Sequence, residues 1–238
     1  MTSLALLFLM QKTAVALLPI PTKLTVTDRT QALQLIGYGS SQKILDDPYP
    51  LGGYSGFEIG LSNEALQTDQ FASMGSKAPT QSQVNYNTIT IGKGIYNNVD
   101  TFLTFSLMGA ENVTDVGAQI RWGFYQASYL PIYMSAVLHG NSFNCEDLIV
   151  TNSIGLDLIA GFKEGDVTLY FGGGPIRTQG VFSGGTGAIT DTKQTVGMGL
   201  LDSRFLAGLN IRFGKYFLAG EIDSYSTAVY GAKIGYRF

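Results

Sequence analysis

The chain closes on Tyr230-Gly231-Ala232-Lys233-Ile234-Gly235-Tyr236-Arg237-Phe238, and this stretch decides how the rest is read. Side chains alternate sides along a β-strand. One face therefore carries Tyr230, Ala232, Ile234, Tyr236 and Phe238, and the other carries Gly231, Lys233, Gly235 and Arg237. The same period recurs toward the N-terminus. Leu218, Gly220, Ile222 and Phe205, Ala207, Leu209, Ile211, Phe213 form two such faces. Val167, Leu169, Phe171, then Ile154, Leu156, Leu158, Ala160, then Ile132, Met134, Ala136, Leu138 form three more. Val116, Ala118, Ile120, Trp122, Phe124, then Leu103, Phe105, Leu107, then Phe57, Ile59, Leu61 complete the series. Each face is backed by glycine, small polar or charged residues.

A soluble β-sandwich alternates too, so strand length and the polar face must choose between folds. The segments run to about ten residues, which a tilted strand needs to cross a bilayer, whereas sandwich strands are nearer to about five or six. Glycine, Ser, Thr and paired charges opposite the apolar positions suit a narrow polar lumen. The pattern predicts an all-β fold, a transmembrane antiparallel up-and-down β-barrel of about ten strands. They fall near 54–64, 84–94, 98–109, 115–126, 131–142, 147–161, 166–177, 203–214, 216–226 and 228–238. The second, fourth, sixth and eighth connections are short, the last being Lys215-Tyr216, while the long ones, 65–83 and 178–202, are both odd. Long loops thus share one rim and short turns the other, as transmembrane barrels require. All seven prolines avoid predicted strand interiors, with Pro131 and Pro175 at strand ends. Aromatics gather at the rims: Phe57, Tyr96, Trp122, Phe124, Tyr129, Tyr216, Tyr236 and Phe238 at the turn side, and Phe205, Tyr225 and Tyr230 at the loop side.

Composition agrees. Charged residues make up 14% of the 238, against about 25% in soluble domains; a lipid-facing wall needs little charge. A net charge of -3 leaves no basic stripe for nucleic acid. Cys145 is the only cysteine and His139 the only histidine, so no disulfide, metal centre or cofactor is expected. No apolar run reaches the roughly 18 residues of a membrane-spanning helix. Leu4 to Met10 followed by Ala14-Val15-Ala16 resembles a signal peptide over 1–16, although no Lys or Arg precedes Leu4.

Residues 17–53 break the period. Asp28-Arg29-Thr30-Gln31 predicts a helix capped at Asp28, with Ala32, Leu33, Leu35 and Ile36 as its stripe and an end near Gly37. Asp46-Asp47-Pro48-Tyr49-Pro50 is rich in turn signals. This segment sits either in the periplasm or in the barrel mouth, with 54–238 forming the barrel.

The final strand resembles the C-terminal strand by which small Gram-negative outer-membrane β-barrel proteins are recognised for assembly, with Phe238 as the terminal aromatic and Tyr236 before it. The resemblance implies export, an outer-membrane location, contact with outer-membrane lipid and lipopolysaccharide, and Tyr236 and Phe238 as a signal to the barrel assembly machinery. It carries no catalytic residues.

Inward-facing charges are expected at Glu58, Arg121, Asp157, Arg204, Arg212, Glu221, Asp223, Lys233 and Arg237, paired because a confined charge loses hydration. A two-residue turn at Lys215-Tyr216 would set Asn210 opposite Glu221 and Gly208 opposite Asp223, with Arg212, Asn210 and Lys233 around the Glu221 carboxylate. His139 reads as a rim histidine bonded to loop groups. Gly172-Gly173-Gly174-Pro175 lacks the Lys of a phosphate loop, and Asn112-Val113-Thr114 needs a eukaryotic secretory route to matter. No catalytic set emerges. The roles left are a structural barrel meeting a surface partner through its external loops, a narrow channel or small-molecule or lipid-binding barrel, and a membrane-embedded hydrolase.

Overall fold

The computed structural model describes residues 20–76, 83–107, 113–225 and 228–238; the signal-peptide stretch 1–16 lies outside them. Ten strands form one closed antiparallel ring: β1 Phe57–Gln67, β2 Gln83–Tyr96, β3 Val99–Ser106, β4 Val113–Gln126, β5 Ile132–Cys145, β6 Ile149–Glu164, β7 Val167–Phe182, β8 Val196–Phe213, β9 Tyr216–Ser224 and β10 Ala228–Arg237. Each pairs with its sequence neighbours, and β1 pairs with β10 from Glu58↔Arg237 to Leu66↔Val229. The Phe57 and Phe238 amides and carbonyls exchange bonds of 2.8 and 2.9 Å at the seam. A closed ring leaves no unpaired strand edge in hydrocarbon, where each unsatisfied backbone group would cost several kcal/mol.

The wall has two zones. Over the residues nearest the short turns, Ile120, Trp122, Leu138, Leu158, Leu169, Phe171, Phe213 and Ile222 point outward and are exposed, while Glu58, Arg121, Asp157, Arg204, Glu221 and Lys233 point inward and are buried. Exposed apolar surface of this extent marks an interaction face, and an apolar belt around a closed barrel is the pattern of a lipid-facing wall. Farther up, the sense reverses: Phe143, Cys145, Ile149, Phe182 and Val84 are buried inside, and Asn85, Ser142, Asn152 and Gln179 face out. The strands are longer here than predicted, with β7 running on to Phe182 and β8 starting at Val196. A strand of 16 or 18 residues exceeds the 9–11 or so that span a bilayer, so the barrel projects beyond the membrane at its loop end.

Within the ring lies the N-terminal segment. Its helix α1, Val26–Leu33, is capped by Thr25, not Asp28: Thr25 Oγ1 accepts from the Asp28 amide, and the Asp28 carboxylate accepts from the Thr25 amide. The capping box therefore begins three residues earlier than expected. The helix continues as a wider π-turn over Gln34–Tyr38 and ends at Gly39, past the predicted Gly37. Its stripe of Ala32, Leu33, Leu35 and Ile36 packs on Phe143, Cys145, Ile149 and Phe182 of the wall and on Phe71, Met74 and Ile189 of the two long loops.

Two further expectations change. Pro175 is inside β7, opposite Ser203 of β8, and not at a strand end. Proline has no N–H, and the β6–β7 ladder lapses beside it between Gly155↔Ile176 and Leu158↔Gly173. The β8–β9 turn is Gly214-Lys215, one residue earlier than Lys215-Tyr216, because Gly214 supplies the left-handed residue (φ 66°) of a tight hairpin. Glu221 then opposes Gly208, and Asp223 opposes Leu206. The slip of two positions preserves which face each side chain takes but changes its neighbours.

Candidate functional site

The segment is threaded through the barrel from one rim to the other. At the loop rim, Thr22 pairs with Ser76 of the β1–β2 loop and Leu24 with Thr190 of the β7–β8 loop. Arg29 donates to the Leu24 carbonyl at 2.8 Å and forms an ion pair with Asp191 at 2.8 Å. That hydrogen bond from Arg29, with a smaller opposing effect of desolvation, holds the Asp191 carboxyl below its usual range.

Below the helix the chain is extended and polar, and the wall becomes charged to match. Lys43 Nζ lies 2.6 Å from Glu64, which also accepts from Tyr86 Oη at 2.8 Å. Gln42 lies against Gly117, where a Cβ would come within 1.7 Å of its amide oxygen, so a larger residue there would make the Gln42 side chain shift. Arg204 is the hub of the next layer. Its Nη1 lies 2.9 Å from Asp157, and its Nη2 lies 3.0 Å from Glu221 and 2.6 Å from Asp223. Nη1 also donates to the Gln42 carbonyl at 2.9 Å. Glu221 accepts from the backbone amides of Ile44 and Leu45 at 3.1 and 2.9 Å and from Tyr170 Oη at 2.7 Å. Tyr170 reaches it by lying across Gly208, where a Cβ would sit 2.1 Å from the ring.

The layer nearest the turns is built on Asp46 and Asp47. Asp46 pairs with Arg121 and, at 3.4 Å, with Lys233. Lys233 and Arg237 both reach Glu58 at 2.8 Å, and the Arg121 guanidinium stacks 3.8 Å over the Phe102 ring. Asp47 takes Lys163 at 2.7 Å and the Tyr133 hydroxyl at 2.8 Å. The segment leaves past Asp100, which accepts from the Leu51 amide at 2.8 Å, and the chain turns into β1.

Of the nine inward charges read from the sequence, Glu58, Arg121, Asp157, Arg204, Glu221, Asp223, Lys233 and Arg237 lie buried in this array. Arg212 does not join it: it is half-buried beside the Gly214 turn, opposite Phe217, and forms no ion pair among the described residues. Two positions of register slip also remove the expected set around Glu221; Asn210 opposes Ala219, and Lys233 turns to Glu58 and Asp46. His139 is not at the rim. It is buried in mid-lumen with Nε2 3.2 Å from Asp157, because β5 extends several residues past the predicted end. Tyr225 also points inward, bonded to Ser41 and stacked on Tyr38 at 5.6 Å. Tyr236 and Phe238 lie at the turn rim, their rings 5.6 Å apart, with Phe238 5.2 Å from Phe57 and Tyr236 5.2 Å from Tyr216. Lys43, Asp46, Asp47, Glu64 and Lys163 were not singled out by sequence, since the first three lie in an aperiodic stretch that carries no burial signal.

Among the described residues no group of three or more His, Cys, Asp or Glu is disposed to hold a metal. No protein-family model matches the chain, and no curated relative resembles it in sequence. Solved structures do resemble it. The N-terminal β-barrel domain of Pseudomonas aeruginosa OprF shares 14% identity over 79% of this chain and 99% of that one, with a TM-score of 0.36. The attachment invasion locus protein Ail of Yersinia pestis shares 14% over 77% and 97%, at 0.32, and Acinetobacter baumannii Omp33 shares 10% over 76% and 97%, at 0.34. At these scores the likeness carries no weight of its own, and the fold rests on the ring, its apolar belt and its charged interior. The chain is a closed ten-stranded antiparallel β-barrel whose apolar outer belt and charged interior fit it to span a bilayer.

Proposed function

We propose that this is a non-conducting outer-membrane barrel, its lumen occupied by its own N-terminal segment, with a structural or surface-interaction role carried by the rim of long external loops. The observation that supports this best is that Lys43 and Asp46 of the segment form buried ion pairs with wall residues of β1, β4 and β10, and Asp47 pairs with the partly exposed Lys163 of β6. Water-filled porin lumens are lined by charges that face solvent; here they face protein. Breaking such a pair strands a buried charge at a cost of about 3–5 kcal/mol, so the segment does not leave spontaneously. In planar bilayers the purified protein should insert without a stable conductance step. A reproducible open level in the intact protein would instead support the narrow-channel reading.

Tyr236 and Phe238 serve as the assembly signal in this reading, supported by their position at the exposed end of the closing strand. The double substitution Tyr236→Ser and Phe238→Ser should deplete the protein from the outer membrane and leave it in the periplasm; unchanged membrane levels would remove that role.

A further inference from the structure

We infer that the N-terminal segment runs down through the lumen from the cell-surface rim, so that residues 22–27 are presented outside the cell. The inference rests on the orientation given above, with long loops outside. A barrel with an even number of strands starts and ends its wall at the same rim, and β1 and β10 both have their free ends at the turn rim, joined through Phe57 and Phe238. A segment preceding β1 would ordinarily lie on that side. Here it does not.

The two ends of the segment are fixed at opposite rims. Residues 48–56 contact turn-side groups: Ser135 Oγ donates to the Pro48 carbonyl at 2.9 Å, and the Gly94 amide to the Gly56 carbonyl at 3.0 Å. Apart from the Arg29 guanidinium on the Leu24 carbonyl, the hydrogen bonds of residues 22–24 go to loop-side backbone. Thr22 and Ser76 exchange two bonds of 3.0 and 2.7 Å, the Leu24 amide donates to Ile189 at 2.7 Å, and the Asp191 amide donates to Leu24 at 3.1 Å. The chain at this point is thus bridged on one side to each of the two long loops.

A return path is blocked. Beside α1 the wall closes to contact: a Cβ at Gly180 would lie 2.6 Å from Leu33, one at Gly37 2.2 Å from Thr178, and one at Gly39 2.2 Å from Leu66. No space for a second strand of chain remains at this level, and the closed ladder offers no sideways exit. Thr22 to Thr27 therefore lie on the loop side, where they and the described parts of the two long loops form one composite outer surface.

Single cysteines in intact cells test this with a membrane-impermeant maleimide. The native Cys145 is buried and supplies the blank. Val26→Cys sits at an exposed position (66%) at the loop rim, Thr192→Cys marks the β7–β8 loop, and Tyr129→Cys, fully exposed in the β4–β5 turn, marks the opposite side. Val26→Cys should label as fully as Thr192→Cys in intact cells, while Tyr129→Cys should label only after the outer membrane is permeabilised. Label on Thr192→Cys with Val26→Cys silent until permeabilisation would overturn the threading and leave the orientation standing. Label on Tyr129→Cys with Thr192→Cys silent would overturn the orientation, and the surface presentation with it.

Discussion

The two halves of this barrel solve the same problem with opposite chemistry. In the membrane half the outside is apolar and the inside charged; in the projecting half the outside is polar and the inside is packed with Phe143, Phe182, Ile149, Leu33 and Ile36. The filler changes with the wall. Where the wall is apolar the segment is an amphipathic helix, whose own hydrogen bonds satisfy its backbone. Where the wall is charged the segment is extended, and its exposed amides and carbonyls bind Glu221, Arg204, Gln119 and Arg121. Water outside lets the upper half behave as a soluble domain with its core enclosed. Lipid outside leaves the lower half no apolar surplus to bury, so specificity there comes from ion pairs.

That contrast predicts different costs for comparable deletions. The largest belongs to the charged half. Arg204→Ala removes the partner of Asp157, Glu221 and Asp223 together, and should lower unfolding stability in detergent by about 3–5 kcal/mol or more. A loss under about 1 kcal/mol would mean that water reaches these carboxylates and that the lumen is not filled as described.

Next comes the apolar half. Leu33→Ala should cost about 2–5 kcal/mol, because Gly180 offers no side chain to refill the cavity. Its loss should loosen the loop rim first, seen as faster protease cleavage in the β7–β8 loop while the membrane half keeps its heat-resistant electrophoretic mobility. Equal loosening of both halves would show that they do not behave separately.

The smallest effect lies on the surface. Asp191→Asn weakens the Arg29 pair that ties α1 to the β7–β8 loop. The folded Asp191 carboxyl titrates below its ordinary range, so its contribution is present above the unfolded value and disappears as pH falls through the folded one. Wild type should therefore exceed Asp191→Asn slightly at neutral pH, and the gap should close in acid. A gap that widens in acid would contradict the pairing.

What the sequence disclosed follows the same division. Period-two faces are legible wherever one side meets lipid, which is why Leu156, Leu158, Leu169 and Ile222 identify their strands directly. The outer ends of β5, β7 and β8 were underestimated because the apolar residues change sides there; Met198 and Leu200 continue β8 with glycines outside, a pattern that resembles a loop. Single-strand facing survived where pairing did not, since a turn displaced by one residue moves the register by an even number. Arg212 and His139 show the cost: the neighbours expected of each depend on a strand end, and the structure places both ends elsewhere. The charges of Lys43, Asp46 and Asp47 carry no local sign of burial, because an irregular segment has no face and only the closed ring determines what surrounds it.

Amide hydrogen exchange of the wild-type barrel in detergent tests the filled lumen most directly. Ile44 and Leu45 belong to no helix or strand, and their amides donate to the Glu221 carboxylate inside the ring. If the segment is held there, these two amides should exchange as slowly as those of the β8 and β9 strands around them, because their opening requires the barrel to open. Exchange at the rate of an unstructured peptide, with the strands still protected, would show that the segment is not in the lumen.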